Sequence, residues 1–234
     1  MSRYERQLPI VGEEGQNRIM SAIIGIAGCG GLGVNVITDL VEAGFCRFVL
    51  CDGQVPDISN LNRQFIYSPG DMRPKAEVAA QWVMALNPYS EVIAHANPVT
   101  KENVSSMFQE CDVIVDCLDN MASRMVLSDY SVESGKPLVH GGVTGLTGQV
   151  AVCVPGETAC LRCMIGTVKD EEGPVPSVGA AVAAVAGLEA LEVVKLAAGL
   201  ESRSRGRLVT IDLESMTMDS ADIEADPSCP CAKG

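Results

Sequence analysis

Gly28-Cys29-Gly30-Gly31-Leu32-Gly33 separates a short apolar run, Ser21 to Ala27, from a helix-compatible run, Val34 to Ala43, which Gly44 ends. No other feature constrains the fold as strongly. Glycines at Gly28, Gly30 and Gly33 let backbone approach a phosphate, and the following helix aims N–H groups and positive potential at the same point. A second apolar run, Phe48 to Cys51, ends at Asp52. That residue lies 24 positions after Gly28, placed to accept a ribose hydroxyl. In this context the turn reads as a nucleotide site in preference to a tight packing turn. By itself it favours NAD over ATP, because dinucleotide binding is its commoner use.

The rest of the first part alternates between strands and helices. Pro74 to Leu86 reads as a helix with Pro in its first turn, stopped by Asn87-Pro88. Glu91 to Ala96 is a strand, Lys101 to Gln109 a short helix and Val113 to Asp116 a strand. Met121 to Glu133 is a helix capped by Gly135, and Pro137 to His140 is a fifth strand. This alternation predicts an α/β fold with a Rossmann-like, mostly parallel sheet flanked by helices. Beyond it, Gln149 to Val154 and Arg207 to Asp212 read as strands, and Thr217 to Ile223 as a weaker, alternating one. Val178 to Leu200 is a long, Ala-rich helix between them.

The expectation is one domain over residues 1–234, with a nucleotide-binding half (1–140) and an antiparallel extension (141–234). Hydrophobic residues at 47% and mean hydropathy of +0.20 supply the core, and aromatics at 4% leave Ala, Val, Ile and Leu to fill it. Residues 169–177, with Gly173, Pro174 and Pro176, are the candidate mobile loop.

Acidic residues outnumber basic ones 30 to 17, for a net charge of −13. That balance disfavours nucleic acid and anionic membranes as partners. It also requires any site for an anion to gather its few cations locally. The longest apolar run, Val178 to Leu188, falls short of the roughly 20 residues of a membrane span. Met1 to Gln7 lacks the apolar core of a signal peptide, so the expected location is cytoplasmic. Ten cysteines in that setting are thiols, metal ligands or redox groups and not a disulfide framework.

Arg6, Arg63 and Lys75 are the candidate phosphate cations. Each alone reads as a solvated surface residue; together beside a glycine loop they do not. A nucleoside triphosphate carries more charge than a dinucleotide and needs more cations, which moves the balance toward ATP. Asp119 ends the fourth strand on the ligand-binding edge of such sheets, where a carboxylate suits magnesium. The competing reading of Asp119-Asn120 is a helix N-cap.

Cys160-x-x-Cys163 and Cys229-x-Cys231 read as a closed tetrahedral zinc site, with a redox pair as the alternative. The single spacer in the second pair gives a tighter bite than usual. Cys29, Cys46, Cys51, Cys111, Cys117 and Cys153 read as small core residues. His95 and His140 have no Ser or Cys partner in sequence and read as packed or hydrogen-bonded.

Arg3-Tyr4-x-Arg6-Gln7, the glycine loop, Asp52, Ser59-Asn60-Leu61-x-Arg63-Gln64, Lys75, Asp116-Cys117-x-Asp119-Asn120 and the paired cysteines occur in this order. Taken together they resemble the ThiF/MoeB/HesA family, bacterial relatives of ubiquitin-activating enzymes, over essentially the whole chain. The resemblance implies ATP-dependent adenylation of the C-terminal Gly-Gly carboxylate of a small ubiquitin-like sulfur carrier protein, with release of pyrophosphate. The pathways it implies are molybdopterin, thiamine or related cofactor biosynthesis. It implies that Gly31 and its neighbours cradle phosphate and Asp52 binds ribose. Asn60, Arg63 and Lys75 would contact the nucleotide, with Ser59 and Asn120 beside it, and Asp119 would hold magnesium. Arg6 would reach the phosphates of the partner subunit in a homodimer. The acyl-adenylate would then be open to a sulfur-donor protein.

The chain departs from the family pattern in three places. Many relatives carry a second Asp two residues after the ribose-binding one, where this chain has Gln54. The second cysteine pair is usually CxxC. Some relatives carry a Cys before the long helix for a persulfide or thioester, and residues 169–177 contain none. Two other readings remain: a nucleotide-binding member without turnover, and an NAD-dependent oxidoreductase. The retained Arg63, Lys75 and Asp119 argue against the first. Against the second stand the three cations and the lack of an acid/base pair for hydride transfer.

Overall fold

β1 (Ile23–Ala27) serves two apolar layers at once. Ile24 and Ile26 enter one layer and Ile23 and Ala27 the other, as the period of two dictates. Between them Gly25 leaves room for Phe108 and Cys111: a Cβ there would stand 2.6 Å from Phe108 Cδ1 and 2.9 Å from Cys111 Sγ. A strand buried on both faces belongs inside a helix-covered parallel sheet.

The structure is a computed structural model that describes residues 3–166, 173 and 175–233. In it β2 (Arg47–Cys51) and β4 (Val113–Asp116) flank β1 in parallel. Outside them β3 (Glu91–His95) pairs with β2 and β5 (Leu138–Thr144) with β4, also in parallel. The strands β6 (Thr147–Cys153), β7 (Arg207–Asp212) and β8 (Thr217–Asp222) continue from β5 in antiparallel fashion. The resulting eight-stranded sheet has the order β3-β2-β1-β4-β5-β6-β7-β8. The order in which successive strands are added reverses between β1 and β4, the crevice where open α/β sheets bind ligands.

The sheet is thus the expected mostly parallel one with antiparallel strands after it. The fifth strand outruns its expected end at His140 because it zips onto β6, pairing His140 with Ala151 and Gly142 with Gln149.

Helices α1 (Leu8–Ser21), α2 (Gly31–Ala43), α3 (Lys75–Leu86) and α7 (Gly179–Ala198) cover one face, contributing Ile19, Val36, Val83 and Val185 to its core. The other face is covered by α4 (Val104–Phe108), α5 (Met121–Ser134) and α6 (Leu161–Ile165), through Phe108, Leu127 and Leu161. All seven side chains are fully buried, each worth about 1.5–3 kcal/mol of transfer free energy.

α1 was not expected from the sequence. Its buried positions Val11, Gly15, Gln16 and Ile19 fall on one helical face, but Gly12 kinks the helix at a φ of 73° and Glu13-Glu14 dilute the pattern. Arg6 therefore lies just before a helix. Of the candidate mobile loop, residues 169–172 and 174 lie outside the described residues. At the far edge, β8 is exposed along all six of its residues.

A polar network lies inside the sheet. His140 Nδ1 is 2.7 Å from Asp116 Oδ2, and Gln149 Nε2 is 3.0 Å from His140 Nε2. Because the Gln149 amide donates to Nε2, the ring proton sits on Nδ1 and is donated to Asp116. Burial lowers the His140 pKa, helped by the Arg124 charge, so the ring is neutral. Burial pushes the Asp116 carboxyl up, but Arg124 and His140 outweigh it and hold the carboxylate below its ordinary range.

Glu189 enters from α7 with its Oε2 against Gly141 and without a hydrogen-bond partner among the described residues, while Cys117 Sγ lies 3.5 Å from its Oε1. Burial, with the nearby Asp116 charge, holds its carboxyl well above the ordinary value. A raised acid contributes its stability in full at low pH and loses it as pH rises through the raised value. Glu189→Gln should therefore raise the melting temperature more at pH 8 than at pH 5, with each kcal/mol recovered worth about 2–4 °C in a chain of this size. Paired thermal melts at the two pH values measure the difference, and equal shifts would contradict an elevated Glu189.

Candidate active site

The glycine loop is built on main-chain contacts. Gly28 adopts φ +95°, and its N–H donates to Cys51 O at 2.8 Å, which pins the loop to the end of β2. Gly33 rests so close to the Gly28 carbonyl that a Cβ there would overlap it. α2 then starts at Gly31 with no side-chain cap among the described residues, and its first-turn N–H groups suit an anion.

Asp52 braces the loop. Its Oδ2 accepts the Cys29 N–H at 2.9 Å and its Oδ1 the Gln54 N–H at 2.8 Å. Burial raises its carboxyl; the two N–H groups and Lys75 oppose that, and the Asp119 charge adds to it. Each oxygen keeps lone-pair capacity for a hydroxyl.

Residues 57–64 fold over the loop. Asp57 takes the Ser59 N–H at 2.8 Å and its hydroxyl at 2.6 Å, and Asn60 Nδ2 lies 3.4 Å from Ser59 Oγ. Arg63 Nη1 donates to Ser59 O at 3.1 Å and to Asn62 Oδ1 at 2.7 Å. The Arg63 chain lies across Gly31, with its Cδ 3.3 Å from where a Cβ would be. Beneath it Gly179 opens α7 tightly against Asn62 O. Lys75, the first residue of α3, is buried, with its Nζ 2.8 Å from Gln54 Oε1.

Asp119 and Asn120 separate into two roles. The Asn120 side chain caps α5 by accepting the Ser123 N–H at 2.9 Å. Asp119 is exposed and makes no hydrogen bond among the described residues, so its carboxylate is open to a ligand.

The structure gathers Gly28, Gly30, Gly31, Gly33, Asp52, Ser59, Asn60, Arg63, Lys75, Asp119 and Asn120 at one edge of the sheet. Arg6 is not with them. Gln7 Nε2 donates to Ala43 O at 2.7 Å, and Gly44 lies against the Tyr4 ring, so this segment sits at the C-terminal end of α2. The 13 residues of α2 put about 20 Å between that end and the glycine loop.

Three contributors escaped the sequence reading. Tyr67 OH donates to Cys29 O at 2.6 Å and buttresses the loop from behind. Gln54 holds Lys75. Gln64 is 4% exposed, with its amide 3.7 Å from where a Gly30 Cβ would be and its Oε1 without a partner among the described residues. An orphaned buried acceptor and a buried cation beside open N–H groups are what a bound nucleotide would satisfy. Gln64 was within a quoted motif, but nothing about a neutral side chain flags it there.

The four paired cysteines converge. Cys160 Sγ lies 3.8 Å from Cys163 and 3.6 Å from Cys229, and Cys231 Sγ lies 3.7 Å from Cys163 and 3.4 Å from Cys229. A tetrahedron of zinc–thiolate bonds of about 2.3 Å sets its sulfurs ~3.8 Å apart. The single-spacer pair is therefore no geometric obstacle to zinc. Asp226 N–H points at Cys163 Sγ from 3.4 Å, which suits a thiolate ligand. A groove of about 280 Å³ between α7 and β6–β8 shares no lining residue with the glycine loop.

A model of the ThiF family matches residues 4–231. A protein of Thermus thermophilus named sulfur carrier protein adenylyltransferase is 36% identical over 98% of this chain and 90% of its own length. A Haloferax volcanii protein named SAMP-activating enzyme E1 is 35% identical over 100% of this chain and 90% of its own length. Among solved structures, E. coli MccB with ATP superposes with a TM-score of 0.88 over 100% of this chain and 75% of that one. At 22% identity that likeness speaks for the fold alone.

Proposed function

The chain belongs to the ThiF family, and from that premise we propose that it is an adenylyltransferase that uses ATP to activate the C-terminal Gly-Gly carboxylate of a ubiquitin-like sulfur carrier. The observation that carries this reading is the buried Lys75 close to the start of α2, which has no side-chain cap among the described residues. A dinucleotide pyrophosphate held by the loop alone would leave that charge unused.

In this reading the carrier carboxylate attacks the α-phosphorus of ATP, the bond to the bridging oxygen breaks, and pyrophosphate leaves. The work of the protein is orientation and charge neutralisation. Loop N–H groups from Gly30 and Gly31 cradle phosphate. Asp52 accepts a ribose hydroxyl, and Ser59 and Asn60 line the nucleotide. Arg63 and Lys75 neutralise the phosphate chain. Asp119, freed by the Asn120 cap, would hold magnesium, which supplies further charge neutralisation when bound. The acyl-adenylate is then consumed by a sulfur donor. Molybdopterin, thiamine or a related cofactor is the proposed destination.

Pyrophosphate exchange into ATP tests the activity. Exchange should require the carrier with its terminal Gly-Gly, and Asp119→Ala should lower it by several kcal/mol of barrier, about 100-fold or more, with little change in melting temperature. Exchange that persists with a carrier lacking Gly-Gly would overturn the reading.

Structural zinc at Cys160, Cys163, Cys229 and Cys231 is the second part of the proposal, supported by the near-tetrahedral sulfur spacing. Four thiolates leave no open position, so the metal ties the C-terminal tail to α6 and takes no part in the chemistry. Elemental analysis should return about one zinc per chain. Cys163→Ser should cut zinc content and melting temperature more than exchange at low temperature. A fully folded, zinc-free wild type would contradict it.

The third part is a homodimer with shared sites. Its support is the distance of Arg6 from its own glycine loop, since no side chain spans about 20 Å. Across a two-fold interface Arg6 reaches the partner's phosphates instead. Inactive Arg6→Ala and Asp119→Ala dimers, mixed under subunit exchange, should recover about a quarter of wild-type activity, because half the dimers are mixed and each holds one intact site. Proven exchange without recovery would remove Arg6 from the chemistry.

A further inference from the structure

Lys75 is 2% exposed, yet its hydrogen-bond partner among the described residues is an uncharged amide. An ammonium has three N–H donors, and Gln54 Oε1 takes one of them at 2.8 Å. Gln54 is itself held from two sides. Its N–H donates to Asp52 Oδ1 at 2.8 Å, and its carbonyl accepts the Lys75 N–H at 2.9 Å. The main chain therefore fixes this residue between the ribose-side carboxylate and the buried cation, and the Lys75 ammonium holds its amide. Asp52 and Asp57 feel the Lys75 charge, but their oxygens are engaged by Cys29, Gln54 and Ser59. A desolvated ammonium without a hydrogen-bonded countercharge is costly to hold and strongly attracts an anion.

We infer that Gln54 is a positioning residue that aims Lys75 Nζ at the phosphate site while leaving its charge uncompensated, so that the site selects a ligand with an ionised phosphate chain. The inference rests on the nucleotide reading of the site. An acidic residue at 54 would close an ion pair with Lys75 and compete with the phosphates for its donors. The neutral amide orients without competing. Selectivity should then appear as a gap between ATP and adenosine and should depend on the charge at position 54.

The test is calorimetric binding of ATP, tripolyphosphate and adenosine to the whole protein, wild type, Gln54→Glu and Gln54→Ala, without magnesium and at several salt concentrations. Gln54→Glu should weaken ATP and tripolyphosphate about tenfold or more and flatten their salt dependence, while adenosine stays within about twofold. Gln54→Ala keeps the charge but frees the ammonium. It should lower kcat for pyrophosphate exchange with little change in KM for ATP, and adding the amide back as Gln54→Asn should recover part of that loss. Equal ATP affinity in wild type and Gln54→Glu overturns the inference, as does equal weakening of ATP and adenosine by both variants, the mark of a merely structural role. A wild type that binds ATP no better than adenosine overturns the nucleotide reading beneath it.

Discussion

The site depends on one backbone-on-backbone contact, Gly33 seated on the Gly28 carbonyl. With no side chain between them, α2 starts directly against the turn that leaves β1, and the turn is hydrogen-bonded to the end of β2. Three elements thus meet through main-chain atoms alone, whose positions do not drift with rotamers. Asp52 is braced against the same loop, Gln54 against Asp52, and Lys75 against Gln54. Each residue is located by the one before it, so chemistry carried by flexible side chains inherits the precision of the glycine turn.

A second set of constraints joins the two kinds of sheet. Asp116 of β4, His140 of β5 and Gln149 of β6 form one hydrogen-bonded line across the change from parallel to antiparallel pairing. Arg124 of α5 closes it by donating to the Leu118 and Gly141 carbonyls. Such a line is satisfied in one register only, because a slip of one residue would turn His140 away from both partners. Asp119 follows three residues after Asp116, so the same line fixes where the exposed carboxylate stands.

Where local chemistry decides structure, it was legible in the sequence. The glycine turn, the five parallel strands and α7 announced themselves by period, breaker residues and apolar runs. The cysteine pairs announced a cluster, and the structure brings their sulfurs together. Features set by tertiary neighbours stayed hidden. α1 is helical because Gly15 fits against Ala198 of α7, and its glycines erase the local signal. Asp119 and Asn120 each suit a cap, and only the geometry of α5 gives that role to Asn120. Gln54 looked like a lost carboxylate until its amide was seen on Lys75. The place of Arg6 follows from Gln7 meeting Ala43, 36 residues away, which no local pattern encodes.

β8 carries a consequence of its own. It is the last strand of the sheet, exposed along its length, and its outer row of N–H and C=O groups offers a template to any other strand. It has no covering helix among the described residues and contains no proline or bulge. What guards it is ionisation: Asp219 lies on it beside Asp222, which is paired with Arg207, within a chain of net charge −13. Edge-to-edge association of two such strands is therefore opposed by like charge at neutral pH and progressively less so toward the isoelectric point near 4.5. The acidity of the chain thus opposes pairing at an open sheet edge, a protection that mild acid or concentrated salt would weaken.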